Sequence, residues 1–159
     1  MKETVYIETS LVSYLVAKPS RDLITASRQQ ITAKWWENKR HEFELVASQI
    51  VVDEVSSGDA IRAAERLKLL SGIKLLDVSD KAIELASHLI EKHALPTKAA
   101  QDALHIAIAV VHGVNYLITW NCKHIANAQM RVAINRTCRL AGYEPPILCT
   151  PEELAEESF

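Results

Sequence analysis

Four polar residues of this chain have side chains that can bind a divalent cation, and apolar sequence lies beside each of them. Glu8 follows the run V-Y-I, Glu54 lies in V-V-D-E-V, and Asp102 begins D-A-L-H-I-A, while Asn121 follows L-I-T-W. Carboxylate and carbonyl oxygens are the ligands that Mg²⁺ and Mn²⁺ prefer, and such a cation activates water and stabilises charge on a phosphate. These residues could form one cation site if the fold brings them together.

Each of these four residues could also have an ordinary structural role, and the flanking sequence helps to judge how well that role explains it. A buried strand that ends on an acid, as at Glu8, is unusual. Asp102 stands in an apolar helical run, where a carboxylate needs a partner or a metal. Glu54 alone could be surface charge, but it shares a helix face with Ile50, whereas Asp53 is turned away by about 100°. Asn121 could be an ordinary turn residue or the neutral member of the site.

Short apolar runs alternate with helical patterns along the whole chain. The apolar runs predict strands at residues 4–8, 43–47, 73–76, 116–119 and 147–149. Helices are predicted from Thr9 to about residue 17, at 20–38, after Ser48, and at 59–70, 79–93, 98–112 and 128–140, with a last turn at 150–153.

Two helix boundaries and one helix face are predicted in detail. Ser20 is the expected N-cap of the amphipathic helix predicted at 20–38, which has Leu23, Ser27, Ile31 and Trp35 along one i, i+4 face. Gly113 is expected to end the helix at 98–112 in the C′ position.

Strands separated by helices require crossover connections, so the pattern predicts a mainly parallel sheet with helices on both faces. Sites in such sheets lie beyond the carboxyl ends of the strands, where the strand order reverses. Glu8 and Asn121 both follow predicted strands, and we therefore expect them at that edge.

The composition limits the function classes. The 159 residues fit a single domain over 1–159, 48% of them are hydrophobic, and the net charge of −2 argues against a non-specific nucleic-acid binder. The four glycines are isolated, so neither a dinucleotide-binding nor a P-loop motif can be written. The three cysteines have no C-x-x-C spacing, and no signal peptide or apolar 18-residue span appears, which predicts a cytoplasmic protein without membrane contact.

Taken in order, the motifs Y-I-E-T-S-L-V-S-Y-L, V-V-D-E-V, Q-D-A-L-H-I-A and L-I-T-W-N-C-K-H-I-A-N resemble a PIN domain, most closely the VapC-type toxins of bacterial toxin–antitoxin pairs. The resemblance covers nearly the whole chain. It implies a three-layer α/β/α fold with a five-stranded sheet and Mg²⁺- or Mn²⁺-dependent cleavage of RNA. It also implies a small cognate antitoxin and a homodimer.

Carried over to this sequence, the family's four acidic positions fall on Glu8, Glu54, Asp102 and Asn121, the first three as metal ligands. Thr119 matches the hydroxyl residue that lines the pocket, and Ser10 is a further residue expected to orient Glu8 or the substrate. Two positions depart from the family pattern, because the first and fourth acids are commonly aspartate. Glu8 is longer by a methylene, and Asn121 lowers the negative charge of the site by one, which predicts a weaker second-metal site.

Basic residues after the fourth motif are candidates for RNA backbone binding, although a solvated helix face explains the arginines equally well. They are Lys123, Arg131, Arg136 and Arg139.

Nearby histidines carry weaker predictions. His105, one turn after Asp102, is interpreted as a structural imidazole that supports the site indirectly at most. Cys122 and His124 alone do not make a zinc site.

Two other function classes stay open on the sequence. The uncharged Asn121 is compatible with a PIN scaffold that binds RNA or an antitoxin without cutting RNA. A receiver-like domain would need a phosphate-accepting aspartate after the third strand, where Asp77 stands, but the paired acids and late lysine of such domains are missing.

Overall fold

A computed structural model describes residues 1–155 and contains one sheet whose strand pairings are all parallel. The strands run in the order β3-β2-β1-β4-β5. Their bounds are β1 Thr4–Ile7, β2 Glu44–Ser48, β3 Lys74–Leu76, β4 Tyr116–Ile118 and β5 Ile147–Cys149. The predicted five-stranded parallel sheet is confirmed.

Seven α-helices connect the strands within the described residues. They are α1 Thr9–Val16, α2 Leu23–Asn38, α3 Gln49–Val55, α4 Ala60–Leu70, α5 Asp80–Glu91, α6 Ala100–Val111 and α7 Ala128–Leu140, with 3₁₀ turns at Arg40–Glu42 and Thr97–Ala99. Helix α1 packs against α2, α3 and α4, and α5 packs against α6 and α7. Right-handed crossovers place these two groups on opposite faces of the sheet, which gives three layers.

The strand order reverses between β1 and β4. The chain proceeds from β1 through β2 to β3 at one edge, and then returns past β1 to β4 and β5. The carboxyl ends of β1 and β4 therefore lie side by side at the switch point where open α/β sheets form their sites. Glu8 and Thr119 are the first residues after these two strands.

The apolar core surrounds a small group of buried polar side chains. Val5 and Ile7 of β1 are fully buried, as is Tyr6 between them. Ser48 at the end of β2 and His105 on α6 are also fully buried. Buried polar groups require hydrogen-bond partners, and these three residues provide partners for one another.

Several predicted boundaries are corrected by the structure. Glu8 lies outside β1 and is the N-cap of α1, where its carboxylate accepts a hydrogen bond from the Ser10 backbone N–H. The N-cap of α2 is Asp22, not Ser20, because the Asp22 carboxylate accepts from the Thr25 backbone N–H. Gly113 follows α6 with a φ of 68°, and this predicted helix end is confirmed.

The predicted apolar face of α2 is wrong. Leu23 is 86% exposed, and the buried residues of the helix are Thr32 and Trp35. A row of i, i+4 positions drifts by about 40° at each step, so Leu23 and Trp35 lie about 120° apart around the helix axis. The face that meets the core passes through Thr32 and Trp35, and Trp35 stacks on Phe43.

The three cysteines are free. Among the described residues, no helix combines the length and the apolar character needed to cross a membrane.

Candidate metal centre

Glu8 lies at the centre of a cluster of hydroxyl groups at the end of β1. Its Oε1 atom accepts hydrogen bonds from the Ser10 hydroxyl at 2.5 Å, the Thr119 hydroxyl at 2.5 Å and the Ser10 backbone N–H at 3.1 Å. The residue is only 6% exposed, so these donors replace the water that burial removes. They fix the orientation of the carboxylate.

Glu54 lies on α3 and faces the same edge of the sheet. Ile50, one turn earlier, is buried, and Asp53 is exposed and accepts a hydrogen bond from Gln49, as the helical spacing predicts. The Oε1 atom of Glu54 accepts from the Thr9 hydroxyl at 2.5 Å and lies 2.6 Å from Nε2 of His105. Burial raises the pKa of Glu54, but the His105 hydrogen bond and charge and the Thr9 hydrogen bond outweigh it, and the net pKa is lowered.

Glu8, Glu54 and His105 converge on one point. Each offers a ligand atom, and these atoms all lie within 4.8 Å of one another. Among the described residues this is the one group of three or more acidic, histidine or cysteine side chains that meets this criterion. Two predicted ligands are therefore brought together, with a histidine beside them.

Asp102 lies in the first turn of α6 and has a different partner. Its Oδ2 atom is 2.9 Å from Nδ1 of His124, and it is not a member of the converging group. The sequence predicted that this carboxylate needs a partner or a metal, and His124 supplies the partner. A role of Asp102 as a metal ligand stays a prediction.

Asn121 supports the turn that follows β4. Its Oδ1 atom accepts a hydrogen bond from the His124 backbone N–H at 3.0 Å, and its backbone carbonyl accepts from Ile125 and Ala126. The interpretation of Asn121 as a turn residue is therefore confirmed, and the same hydrogen bond fixes the backbone of His124, whose ring contacts Asp102. Its role at the metal stays a prediction.

Thr119 and Ser10 act on Glu8. Thr119 is fully buried, and besides donating to Glu8 its hydroxyl accepts from the Asn121 backbone N–H at 2.9 Å. The Ser10 hydroxyl accepts from the Trp120 backbone N–H at 2.8 Å. A hydroxyl has one hydrogen, and in each case Glu8 receives it. A direct contact of either residue with substrate stays a prediction.

The four predicted RNA-binding cations have different surroundings. Lys123 and Arg136 are exposed, whereas Arg139 is paired with Glu144 at 3.0 Å. The guanidinium of Arg131 donates to the Leu148 carbonyl at 2.9 Å, which fixes α7 to β5. Arg131 and Arg139 thus have structural partners, and RNA binding by all four stays a prediction.

The donor chemistry of the converging group fits a hard divalent cation. In both Glu8 and Glu54, Oε1 is held by protein donors, and Oε2 accepts no hydrogen bond from any residue among 1–155. One or two carboxylates are the usual protein contribution to a Mg²⁺ site, and carboxylate oxygens also suit Mn²⁺.

The sequence interpretation did not pair two histidines with their acids. His105 lies against Glu54 and His124 against Asp102, although the residues of these pairs are 51 and 22 positions apart along the chain. A weak signal existed for His105, because it lies one helical turn from Asp102 on an apolar helix. No local signal linked His124 to Asp102.

The chain matches the family model described as PIN domain over residues 5–124, and it therefore belongs to the PIN domain family.

Solved structures share its fold. A chain of VapBC2 from Rickettsia felis, in a structure with a DNA fragment from the VapBC2 promoter, matches with a TM-score of 0.56 and 21% identity over 76% of this chain and 89% of that chain. VapC20 from Mycobacterium tuberculosis, a toxin that cleaves the sarcin–ricin loop, matches with a TM-score of 0.58 and 15% identity over 87% of this chain and 95% of that chain. A search of curated protein sequences finds no match.

Proposed function

We propose that this protein is a divalent-metal-dependent endoribonuclease and the toxin of a toxin–antitoxin pair. The observation that carries this proposal is the convergence of Glu8, Glu54 and His105 within 4.8 Å at the switch point of a PIN-family sheet. Its RNA substrate is suggested by VapC20, which shares the fold and cleaves the sarcin–ricin loop.

The residues of the site have distinct tasks in this proposal. Glu8 and Glu54 would hold Mg²⁺ or Mn²⁺ through the carboxylate oxygens that residues 1–155 leave without hydrogen bonds. When bound, such a cation activates water for in-line attack on phosphorus and offsets the charge that develops on the phosphate oxygens. Thr119 and Ser10 keep Glu8 oriented, and Thr9 and His105 keep Glu54 oriented.

Asp102 completes the negative charge of the site in this proposal. Its side chain is 22% exposed, which leaves it accessible from the carboxyl edge of the sheet, and we assign it the third metal-ligand position. The Nδ2 amide group of Asn121 can donate to a phosphate oxygen while its Oδ1 closes the turn. Lys123 is exposed two residues further on and can contact the RNA backbone.

An RNA cleavage assay tests the proposal. Wild-type protein should cleave RNA with Mg²⁺ or Mn²⁺, lose the activity in EDTA, and regain it when the metal is restored. Asp102→Asn keeps nearly the size and shape of the side chain but removes its charge and replaces one acceptor oxygen by an amide donor, and we expect at least about a hundredfold loss of cleavage. Cleavage that persists in EDTA, or full activity in Asp102→Asn, would contradict the proposal.

Asp53→Asn is the matched control for that assay. Asp53 is an exposed acid beside Glu54 but on another face of α3, so removing its charge should leave cleavage close to the wild-type rate. An equal loss in both variants would indicate a general charge effect and not a metal site.

The partner in this proposal is a small antitoxin that covers apolar surface on the first two helices. Leu23 and Ile24 in the first turn of α2 are 86% and 66% exposed, which is unusual for large aliphatic side chains. Induced expression should arrest growth, Asp102→Ala should not, and co-expression of the antitoxin should restore growth. We also propose a homodimer in the cytoplasm, and sedimentation measures its mass.

A second candidate function is a PIN scaffold that binds RNA or antitoxin without cutting. It is favoured by Asn121, whose Oδ1 bonds to the turn, and by Asp102, which bonds to His124. Calorimetric titration that shows no heat of binding at millimolar Mg²⁺ or Mn²⁺ would support this candidate against the nuclease.

A further inference from the structure

A line of hydrogen bonds runs from the core to the candidate metal centre. The Ser48 hydroxyl is 2.7 Å from the Tyr6 hydroxyl, which is 2.7 Å from Nδ1 of His105, and Nε2 of His105 is 2.6 Å from Oε1 of Glu54. Ser48, Tyr6 and His105 are all fully buried. We call this line the Tyr6–His105 relay.

The relay has features that general packing does not explain. Ser48 occupies the N-cap position of α3, yet its side chain makes no capping hydrogen bond and contacts Tyr6 instead. A helix whose N-cap side chain makes no capping hydrogen bond is less stable than a capped one. Tyr6 lies in the central strand between Val5 and Ile7, where an apolar side chain would fill the space without needing a polar partner.

The direction of the donors follows from counting hydrogens. Glu54 as a carboxylate only accepts, so Nε2 of His105 carries the hydrogen between them, and in the neutral form of the ring Nδ1 accepts. The Tyr6 hydroxyl donates to Nδ1, and the Ser48 hydroxyl donates to the Tyr6 oxygen. If the donors were reversed, with Nδ1 of His105 donating to Tyr6 and Tyr6 donating to Ser48, the Ser48 hydroxyl hydrogen would have no acceptor among the described residues.

We propose that His105 is a positioning residue for Glu54, and that Tyr6 and Ser48 keep its Nε2–H directed at that carboxylate. With Thr9 on the same oxygen, His105 leaves the other carboxylate oxygen of Glu54 oriented towards the cation. This inference rests on the proposed function, because it gives Glu54 its role at the metal. It assigns His105 to the support of a ligand and not to the ligand set.

Two substitutions separate this role from simple packing. In His105→Gln the side-chain amide nitrogen reaches about as far as Nε2 and can still donate to Glu54, whereas in His105→Asn it reaches only about as far as Nδ1. The measurement is Mn²⁺ affinity by calorimetry and by electron paramagnetic resonance, with thermal melting of each metal-free variant recorded separately. His105→Asn should bind Mn²⁺ roughly tenfold or more weakly, and His105→Gln should stay within roughly threefold of wild type.

Tyr6→Phe tests the next link with little change in shape. It should weaken Mn²⁺ binding by roughly threefold, a smaller loss than His105→Asn, because His105 still contacts Glu54 but loses the donor at Nδ1. Nitrogen NMR of the metal-free wild type should find the His105 proton on Nε2. The Mn²⁺ concentration that half-saturates cleavage should rise in Tyr6→Phe, while KM for RNA stays unchanged.

Matched controls come from outside the site. Tyr116→Phe removes a tyrosine hydroxyl from the neighbouring strand β4, and His112→Asn replaces the histidine that caps α6 and contacts the Asp77 carbonyl. Both should bind Mn²⁺ with wild-type affinity.

The failures of this inference and of the proposed function are distinguishable. If wild type does not bind Mn²⁺, or if Glu54→Gln binds it as well as wild type, the proposed function is wrong and this inference falls with it. If Glu54→Gln abolishes binding but His105→Asn and His105→Gln behave alike, only the positioning role is wrong. A directly bound imidazole nitrogen in the resonance spectrum would also overturn it and place His105 among the ligands.

Discussion

Two carboxylate–histidine pairs lie at the carboxyl edge of the sheet, and the chain holds them differently. In the Glu54–His105 pair the atoms are 2.6 Å apart and the histidine side chain is 1% exposed. In the Asp102–His124 pair they are 2.9 Å apart and the histidine side chain is 13% exposed. Both ring nitrogens of His105 have partners, whereas Nε2 of His124 has none among residues 1–155.

The difference follows from the elements that carry the two histidines. His105 is on α6 and is surrounded by the core, so its pair with Glu54 is determined by the packing of the sheet and helices. His124 lies in the turn after β4, which depends on Asn121 for its closing hydrogen bonds. The first pair belongs to the packed core, and the second depends on the conformation of a single turn.

Replacing the histidine of each pair by leucine should give the largest difference between the two pairs. His105→Leu removes one of the two hydrogen-bond partners of the buried Tyr6 hydroxyl and one of the two partners of the partly buried Glu54 carboxylate, and we expect a loss of about 3 kcal/mol in the free energy of unfolding. His124→Leu affects a more exposed pair, and we expect a loss below about 1 kcal/mol. Urea unfolding in EDTA measures both, and equal losses would remove the distinction between the two pairs.

Thr119→Val should have the next largest effect, because the substitution keeps the shape of a buried side chain that connects Glu8 to the Asn121 turn. It removes the donor to Glu8 and the acceptor for the Asn121 N–H, and we expect a loss of about 2 kcal/mol together with weaker Mn²⁺ binding. Thr137→Val is the control, since the Thr137 hydroxyl donates only to the Ala133 carbonyl within α7. A Thr119→Val protein with wild-type Mn²⁺ affinity would show that Glu8 does not need this donor.

Asn121→Asp adds a charge in the turn after β4 without removing the turn, because a carboxylate oxygen can also accept from the His124 backbone N–H. We expect Mn²⁺ affinity to rise by roughly tenfold, as one more negative charge near the cation would produce. Asn127→Asp adds the same charge at the N-cap of α7 and provides the control. Unchanged affinity in Asn121→Asp would leave residue 121 as a turn residue only.

The smallest expected effect is a pH dependence of the Glu54–His105 pair. Hydrogen bonds from His105 and Thr9 and the charge of His105 outweigh burial and lower the pKa of Glu54 below its ordinary value of 4.5. The stability that Glu54 contributes is therefore fully present above about pH 4.5 and is lost as the pH falls through the lower folded pKa.

Unfolding free energies of wild type and Glu54→Gln in EDTA test this dependence. Their difference should shrink as the pH decreases below 4.5. Asp53→Asn removes a charge from another face of α3, and its effect on the unfolding free energy at each pH is the control to subtract from that of Glu54→Gln. A difference that is constant with pH would contradict the lowered pKa.

Local sequence was sufficient for most of the fold. Strand and helix patterns predicted five strands and seven helices within a few residues of their observed positions. The parallel crossover topology that these patterns imply was then enough to place Glu8 at the carboxyl edge of the sheet. The helical spacing of Ile50 and Glu54 correctly predicted which of two adjacent acids faces that edge. The N-cap of α2 was predicted wrongly because Ser20 and Asp22 are both good N-cap residues and the sequence does not show which of them is used.

Tertiary structure decided which polar atoms meet. The sequence determined that Glu8, Glu54 and Asp102 are acids in apolar surroundings, because burial follows from short-range hydrophobic pattern. It did not determine that Glu54 meets His105 while Asp102 meets His124, because each contact depends on the relative rotation of elements far apart in the chain. Hydrogen bonds are directional and act over about 3 Å, so only the packed arrangement selects among the possible partners.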